Sequence, residues 1–71
     1  MNVRKLKAAM VERGVNADEL SDKIQMDRST FYRRLSDDGE TFTLREVESI
    51  RKALDLPYDL ATSIFFGSDV A

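Results

Sequence analysis

The sequence predicts an all-α protein, a compact bundle of about five short helices in a single domain spanning residues 1–71, with its ordered core over about 3–66. Three observations lead there. Apolar residues recur at helical spacing in five separate stretches, and no segment alternates as a strand. Side chains suited to helix capping stand just before several of those stretches. Cysteine and histidine are both absent, so neither a disulfide nor the commonest zinc ligands can compensate for a small core, and helix packing alone has to hold the chain together.

The first predicted helix is residues 3–13, VRKLKAAMVER, which puts Val3, Leu6, Ala9 and Met10 on one side and Arg4, Lys5, Lys7 and Glu12 elsewhere. Its basic residues are either a solvated face or a phosphate contact. Gly14 ends it, because glycine takes the left-handed cap conformation cheaply, and Val15 is placed to fold back onto Met10. Asn16 followed by Glu19 has capping-box spacing, so a second helix runs from about Ala17 to Ile24 and buries Ala17, Leu20, Ser21 and Ile24. Gln25-Met26-Asp27 interrupts the pattern, and Asp27 caps a third helix over about 28–36. Two helices this short make sense only packed together.

Steps of about 100° per residue put Phe31 and Leu35 on one face of the third helix, Ser29 and Arg33 on the other, and Thr30 and Ser36 more laterally. Arg28 projects from the first turn, and Tyr32 and Arg34 lie on the flanks. That face shows no acidic partner for its arginines, so they read either as available to a ligand or as a solubilising face. Two short helices and a tight turn, the second helix arginine-bearing, have the shape of a helix-turn-helix.

Residues 36–42, SDDGETF, read as a loop. Thr43 and Glu46 then form a second capping box, with Phe42 and Val47 spaced as a hydrophobic staple, and the fourth helix starts at Leu44 and buries Leu44, Val47, Ile50 and Leu54. Asp55-Leu56-Pro57 breaks it. A fifth helix, roughly 58–66, offers Leu60, Ala61, Ile64 and Phe65 and ends at Gly67, leaving Ser68 to Ala71 as a frayed tail. Phe65 and Phe66 are adjacent and cannot both face one core. Either one of them is a dimer contact, or both tuck under the first helix or the loop before the fourth.

Composition narrows the function class. With 42% hydrophobic and 34% charged residues the chain reads as globular, and it has no apolar run near the ~20 residues that span a bilayer and no signal-peptide pattern. The expectation is a cytoplasmic protein with no membrane partner. The formal charge of −2 hides an asymmetry: residues 1–35 carry eight Lys/Arg against five Asp/Glu, residues 36–71 three against eight. The positive half contains the arginine-bearing helix. Serine and threonine hydroxyls have no histidine to activate them, no glycine-rich phosphate cradle follows a strand, and the Asp37–Glu40 run lacks calcium-loop spacing. No enzymatic activity, cofactor, metal or small-molecule substrate is expected.

On Leu20, Ile24, Met26, Phe31 and Leu35, the short turn, and the FTLREVESI segment, the chain resembles the phage repressor/Cro (XRE-type) helix-turn-helix family over residues 3–66. The resemblance implies the lambda-repressor-like fold and operator binding to double-stranded DNA, usually as a homodimer. Carried over by position, it places Arg28, Ser29, Thr30, Tyr32 and Arg33 on bases. Asn16, Ala17 and Ser36 fall near phosphates, and Arg34 fits a phosphate contact. The family usually has glycine in the turn, where Gln25 stands. A left-handed conformation there costs a residue with a Cβ roughly 1 kcal/mol. It often has a glutamine clamping phosphate where Ala17 stands, and a small residue, often alanine, at Ser21. The alternative to a phage-type DNA-binding regulator is a protein-interaction module of the same fold that modulates a repressor or other partner.

Overall fold

Three of the connections between helices are built alike, and they set the course of the chain. The computed structural model describes residues 1–37 and 42–66. Within them lie α1 (Val3–Glu12), α2 (Ala17–Lys23), α3 (Arg28–Ser36), α4 (Leu44–Ala53) and α5 (Tyr58–Phe65), with no strand among the described residues. The connectors Arg13-Gly14-Val15-Asn16, Ile24-Gln25-Met26-Asp27 and Leu54-Asp55-Leu56-Pro57 each have a left-handed second residue, with φ of 68° at Gly14, 58° at Gln25 and 54° at Asp55. The third residue then donates its N–H back into the preceding helix: Val15 to the Met10 carbonyl at 2.9 Å, Met26 to Ser21 at 2.9 Å, Leu56 to Arg51 at 3.0 Å. That six-to-one bond with an apolar residue folded inward is the Schellman helix end. Gln25 is left-handed as its place in the turn implied. Asp55 is a second non-glycine residue bearing the same strain, where the sequence had suggested only a break before proline.

The starts of the helices are equally local in origin. Both capping boxes are closed: Asn16 with Glu19, and Thr43 with Glu46. The Asp27 carboxylate accepts from the Thr30 N–H at 3.3 Å. Asn2, with no glutamate three residues on to mark it as a box, caps α1 by accepting from the Lys5 N–H at 3.0 Å. α5 starts after Pro57 with no side-chain cap.

Leu6, Leu20, Phe31, Ile50, Leu54, Leu56 and Ile64 are fully enclosed, with Ala9, Met10, Ala61 and Phe65 beside them. Of the expected core, Ala17, Ile24, Leu35, Val47 and Leu60 are only partly buried against this cluster and Val3 is half-buried outside it, and two residues depart further. Leu44 is 74% exposed. It lies about 90° around the helix from the mean direction of Val47, Ile50 and Leu54, in the first turn, so the stripe begins one turn later than expected. Leu56, absent from the expected core, enters it as the inward residue of a Schellman end.

α2 and α3 are the most closely packed helix pair, while α1 rests on α5 and α2 on α4. The Asn2 N–H donates to the Ile64 carbonyl at 2.7 Å and the Lys5 ammonium to the Ser63 hydroxyl at 2.8 Å, binding α1 to α5. Arg13 donates from Nε to the Leu54 carbonyl at 3.0 Å, satisfying the end of α4. Arg51 ties α4 to the last connector: it donates to the Leu56 carbonyl at 3.2 Å and to Glu48, and its guanidinium lies 4.2 Å from the Tyr58 ring centre. No helix among the described residues is long and apolar enough to cross a membrane. The readings of residues 38–41 and 67–71, including the acidic run, the Gly67 helix end and the frayed tail, lie outside the described residues.

Candidate nucleic-acid interface

α3 is anchored by one side chain and displayed by the rest. Phe31 is fully buried, with the Phe42 ring 5.8 Å away and the Tyr32 ring set edge-on at 6.4 Å, while Leu35 is half-buried. This orientation turns Ser29 and Arg33, one turn apart, outward into solvent. Among the described residues Arg33 makes no ion pair.

Arg28 and Tyr32, also one turn apart, run along the side of α3 that faces α2, and there they meet Asp18 and Asp22, a matching pair one turn apart on α2. Arg28 donates from Nη1 to Asp18 Oδ2 at 3.5 Å and from Nη2 to Asp22 Oδ2 at 3.3 Å. The Tyr32 hydroxyl donates to the second oxygen of Asp18 at 2.9 Å. All four side chains remain open to water. The hydrogen bond to Asp22, with the charge of Asp18, holds the Arg28 pKa above its ordinary value. The Tyr32 hydroxyl is pushed up mainly by its hydrogen bond to Asp18. The expectation that the arginines of α3 meet no acidic partner is thereby corrected for Arg28: its partners come from α2, and a projection of α3 alone does not contain them.

A second correction concerns Arg34. Its side chain is only 21% exposed, and its guanidinium is paired with Glu46 of α4 and lies 5.9 Å from the centre of the Phe42 ring. A side chain turned inward to join α3 to α4 is not placed for the phosphate contact expected of it. Thr30 is half-buried at the start of α3, its backbone N–H spent on Asp27. Ser36 is exposed, and its hydroxyl donates to the Tyr32 carbonyl at 3.1 Å.

At the start of α2, Asn16 is exposed, but its backbone N–H donates to Glu19 at 3.0 Å and its side-chain oxygen accepts from the Glu19 N–H at 2.8 Å. The capping box thus uses the backbone N–H groups of Asn16 and Glu19 that a phosphate could otherwise take, and leaves the Asn16 side-chain NH2 as the donor on that side. Ala17 packs half-buried against the core. Asp18 and Glu19 add negative charge to this first turn, which suits the helix dipole and opposes a phosphate. The Ser21 hydroxyl, fully enclosed, donates to the Asp18 carbonyl at 2.7 Å, so the polar residue at that position is accommodated without an unpaired group.

Beside α3 lies a cleft of about 360 Å³, walled by Met10, Val11, Val15, Tyr32 and Leu35, with Lys7 on its lining. At the C-terminal end of α5 the adjacent phenylalanines divide: Phe65 is buried and Phe66 is 57% exposed, so they do not both tuck into the protein. Among the described residues no group of three or more histidine, cysteine or acidic side chains is arranged to hold a metal ion. No family model, curated protein or solved structure matches the chain.

Proposed function

We propose that the chain is a sequence-specific binder of double-stranded DNA, a small regulator of phage or prophage type whose α3 enters the major groove. The observation that carries this reading is the outward pair Ser29 and Arg33 on a helix fixed from behind by Phe31. An arginine so displayed can donate two parallel hydrogen bonds to guanine O6 and N7, and serine one turn earlier is short enough to let the helix approach the base edges. The likeness of residues 3–66 to the repressor and Cro family points the same way. Two copies reading half-sites one helical turn apart need a contact between them, and Phe66 is one of several exposed apolar side chains available for it.

A second reading, a protein-interaction module, draws on the apolar cleft beside Tyr32 and on the carboxylates of Asp18 and Asp22 flanking α3. Selection of bound sequences from random duplexes, followed by gel shifts across a salt series, decides between them. The DNA reading expects an enriched, two-fold-related site and a log affinity that falls linearly with log salt. Arg33→Ala then loses preference at one or two base pairs, at a cost of about 1–3 kcal/mol. No enriched site at low salt overturns it.

A further inference from the structure

Asp18 and Asp22 stand beside the outward face of α3 yet belong to neither the core nor the caps of the α2–α3 pair, and each spends its charge on a residue of α3. We propose that they are positioning residues that set sequence discrimination: they hold Arg28 and Tyr32 along the side of α3 and release Arg28 to a base edge but not to a phosphate. This inference rests on the DNA-binding reading.

Discrimination comes from an exchange of partners. Arg28 is 57% exposed, and its contacts to Asp22 and Asp18, at 3.3 and 3.5 Å, are long and solvent-screened. Pairs of this kind hold weakly and break when a better partner arrives. A phosphate is a poor replacement. It takes over the same charge that the carboxylates already satisfy, and it has to sit beside the two carboxylates it displaces. A guanine edge offers two parallel acceptors without a formal charge, so the guanidinium gains geometry and the carboxylates meet no like charge. The clasp therefore costs more on random DNA than on a cognate site. Specificity is a difference of affinities, and a repulsive element against the wrong partner raises it as surely as a new contact with the right one. Tyr32 extends the device. Its hydroxyl is fixed on the remaining oxygen of Asp18, so the two α3 side chains are held from one carboxylate.

The test uses the full chain and two duplexes, one carrying the sequence enriched by the wild type and one of random sequence, with affinities read by fluorescence anisotropy across a salt series. Asp18→Asn with Asp22→Asn removes both charges and keeps the side-chain shapes, and circular dichroism confirms that the variant folds. The expected result is about tenfold tighter binding to random duplex, fading as salt rises, with less than about threefold change on the enriched site, so that the ratio of the two falls. Tyr32→Phe, which removes one hydroxyl, moves the ratio in the same direction and by less. A double variant whose two affinities rise together, or do not move, overturns the inference and leaves the DNA reading standing. A wild type that enriches no sequence overturns the DNA reading and this inference with it.

Discussion

The α2–α3 and α4–α5 pairs are the same construction put to different uses. Each joins two helices through four residues, with a left-handed non-glycine residue second and an inward apolar residue third. The helices after the two connectors differ. α5 buries Ala61, Ile64 and Phe65 within eight residues, while α3 buries Phe31 alone and leaves most of its polar and arginine side chains outside. The arginines differ too: Arg51 is folded over Tyr58 and its own connector, whereas Arg28 lies in the open against α2. The connector fixes the path of the backbone, and the composition of the second helix decides whether that path ends in a core or on a surface.

The largest effect that tests this contrast is a truncation in each second helix. Ile64→Ala in α5 removes a fully enclosed side chain and is expected to lose about 2–5 kcal/mol in urea unfolding, enough to unfold much of so small a domain. Arg33→Ala in α3 is expected to stay within about 0.5 kcal/mol of wild type. Equal losses would end the distinction between a buried and a displayed helix.

The three connectors can be compared by exchanging their left-handed residues. Nothing lies within 4 Å of the position a Cβ would take on Gly14, so Gly14→Ala is expected to cost about 1 kcal/mol through conformation alone. Gln25→Gly and Asp55→Gly should each stabilise by up to about 1 kcal/mol, relief of the left-handed strain being partly offset by glycine's freedom in the unfolded chain. Unfolding midpoints that separate Gln25→Gly from Asp55→Gly by more than that figure would show that the connectors only look equivalent.

The smallest effect concerns Tyr32. Its ionisation is held above the ordinary tyrosine value because the neutral hydroxyl donates to Asp18. The contribution to stability is therefore complete below that ordinary value and is lost as pH rises through the raised one. NMR titration of the Tyr32 ring should show a high midpoint that drops in Asp18→Asn. An unmoved midpoint would detach Tyr32 from α2.

The contrast also explains which parts were legible in the sequence. Asn16 with Glu19, Asp27, and Thr43 with Glu46 act over three residues, so their spacing suffices to find them. The core stripes follow from helical period, and the exposure of Leu44 follows from it too, since that residue lies about 90° off the α4 stripe. The left-handed Asp55 was hidden because only one of the three connectors uses glycine, the residue that ordinarily marks such a position. The site was less legible than the fold. Asp18 and Asp22 are ten and six residues from Arg28, and Glu46 is twelve from Arg34, so these pairs exist only once α2 and α4 have been packed against α3. A single-helix projection sets Arg28, Arg33 and Arg34 at different angles but gives none of them a partner; the packing makes one clasped, one displayed and one half-buried.

The hydrogen bond from Asn2 to the Ile64 carbonyl has a consequence for synthesis. Helices α2 and α3 are neighbours in sequence and can pair while the chain is still being made. α1 lacks its closing partner until residue 64 has emerged from the ribosome, so one side of the core stays open until all of the described residues have been translated and α5 is clear of the ribosome.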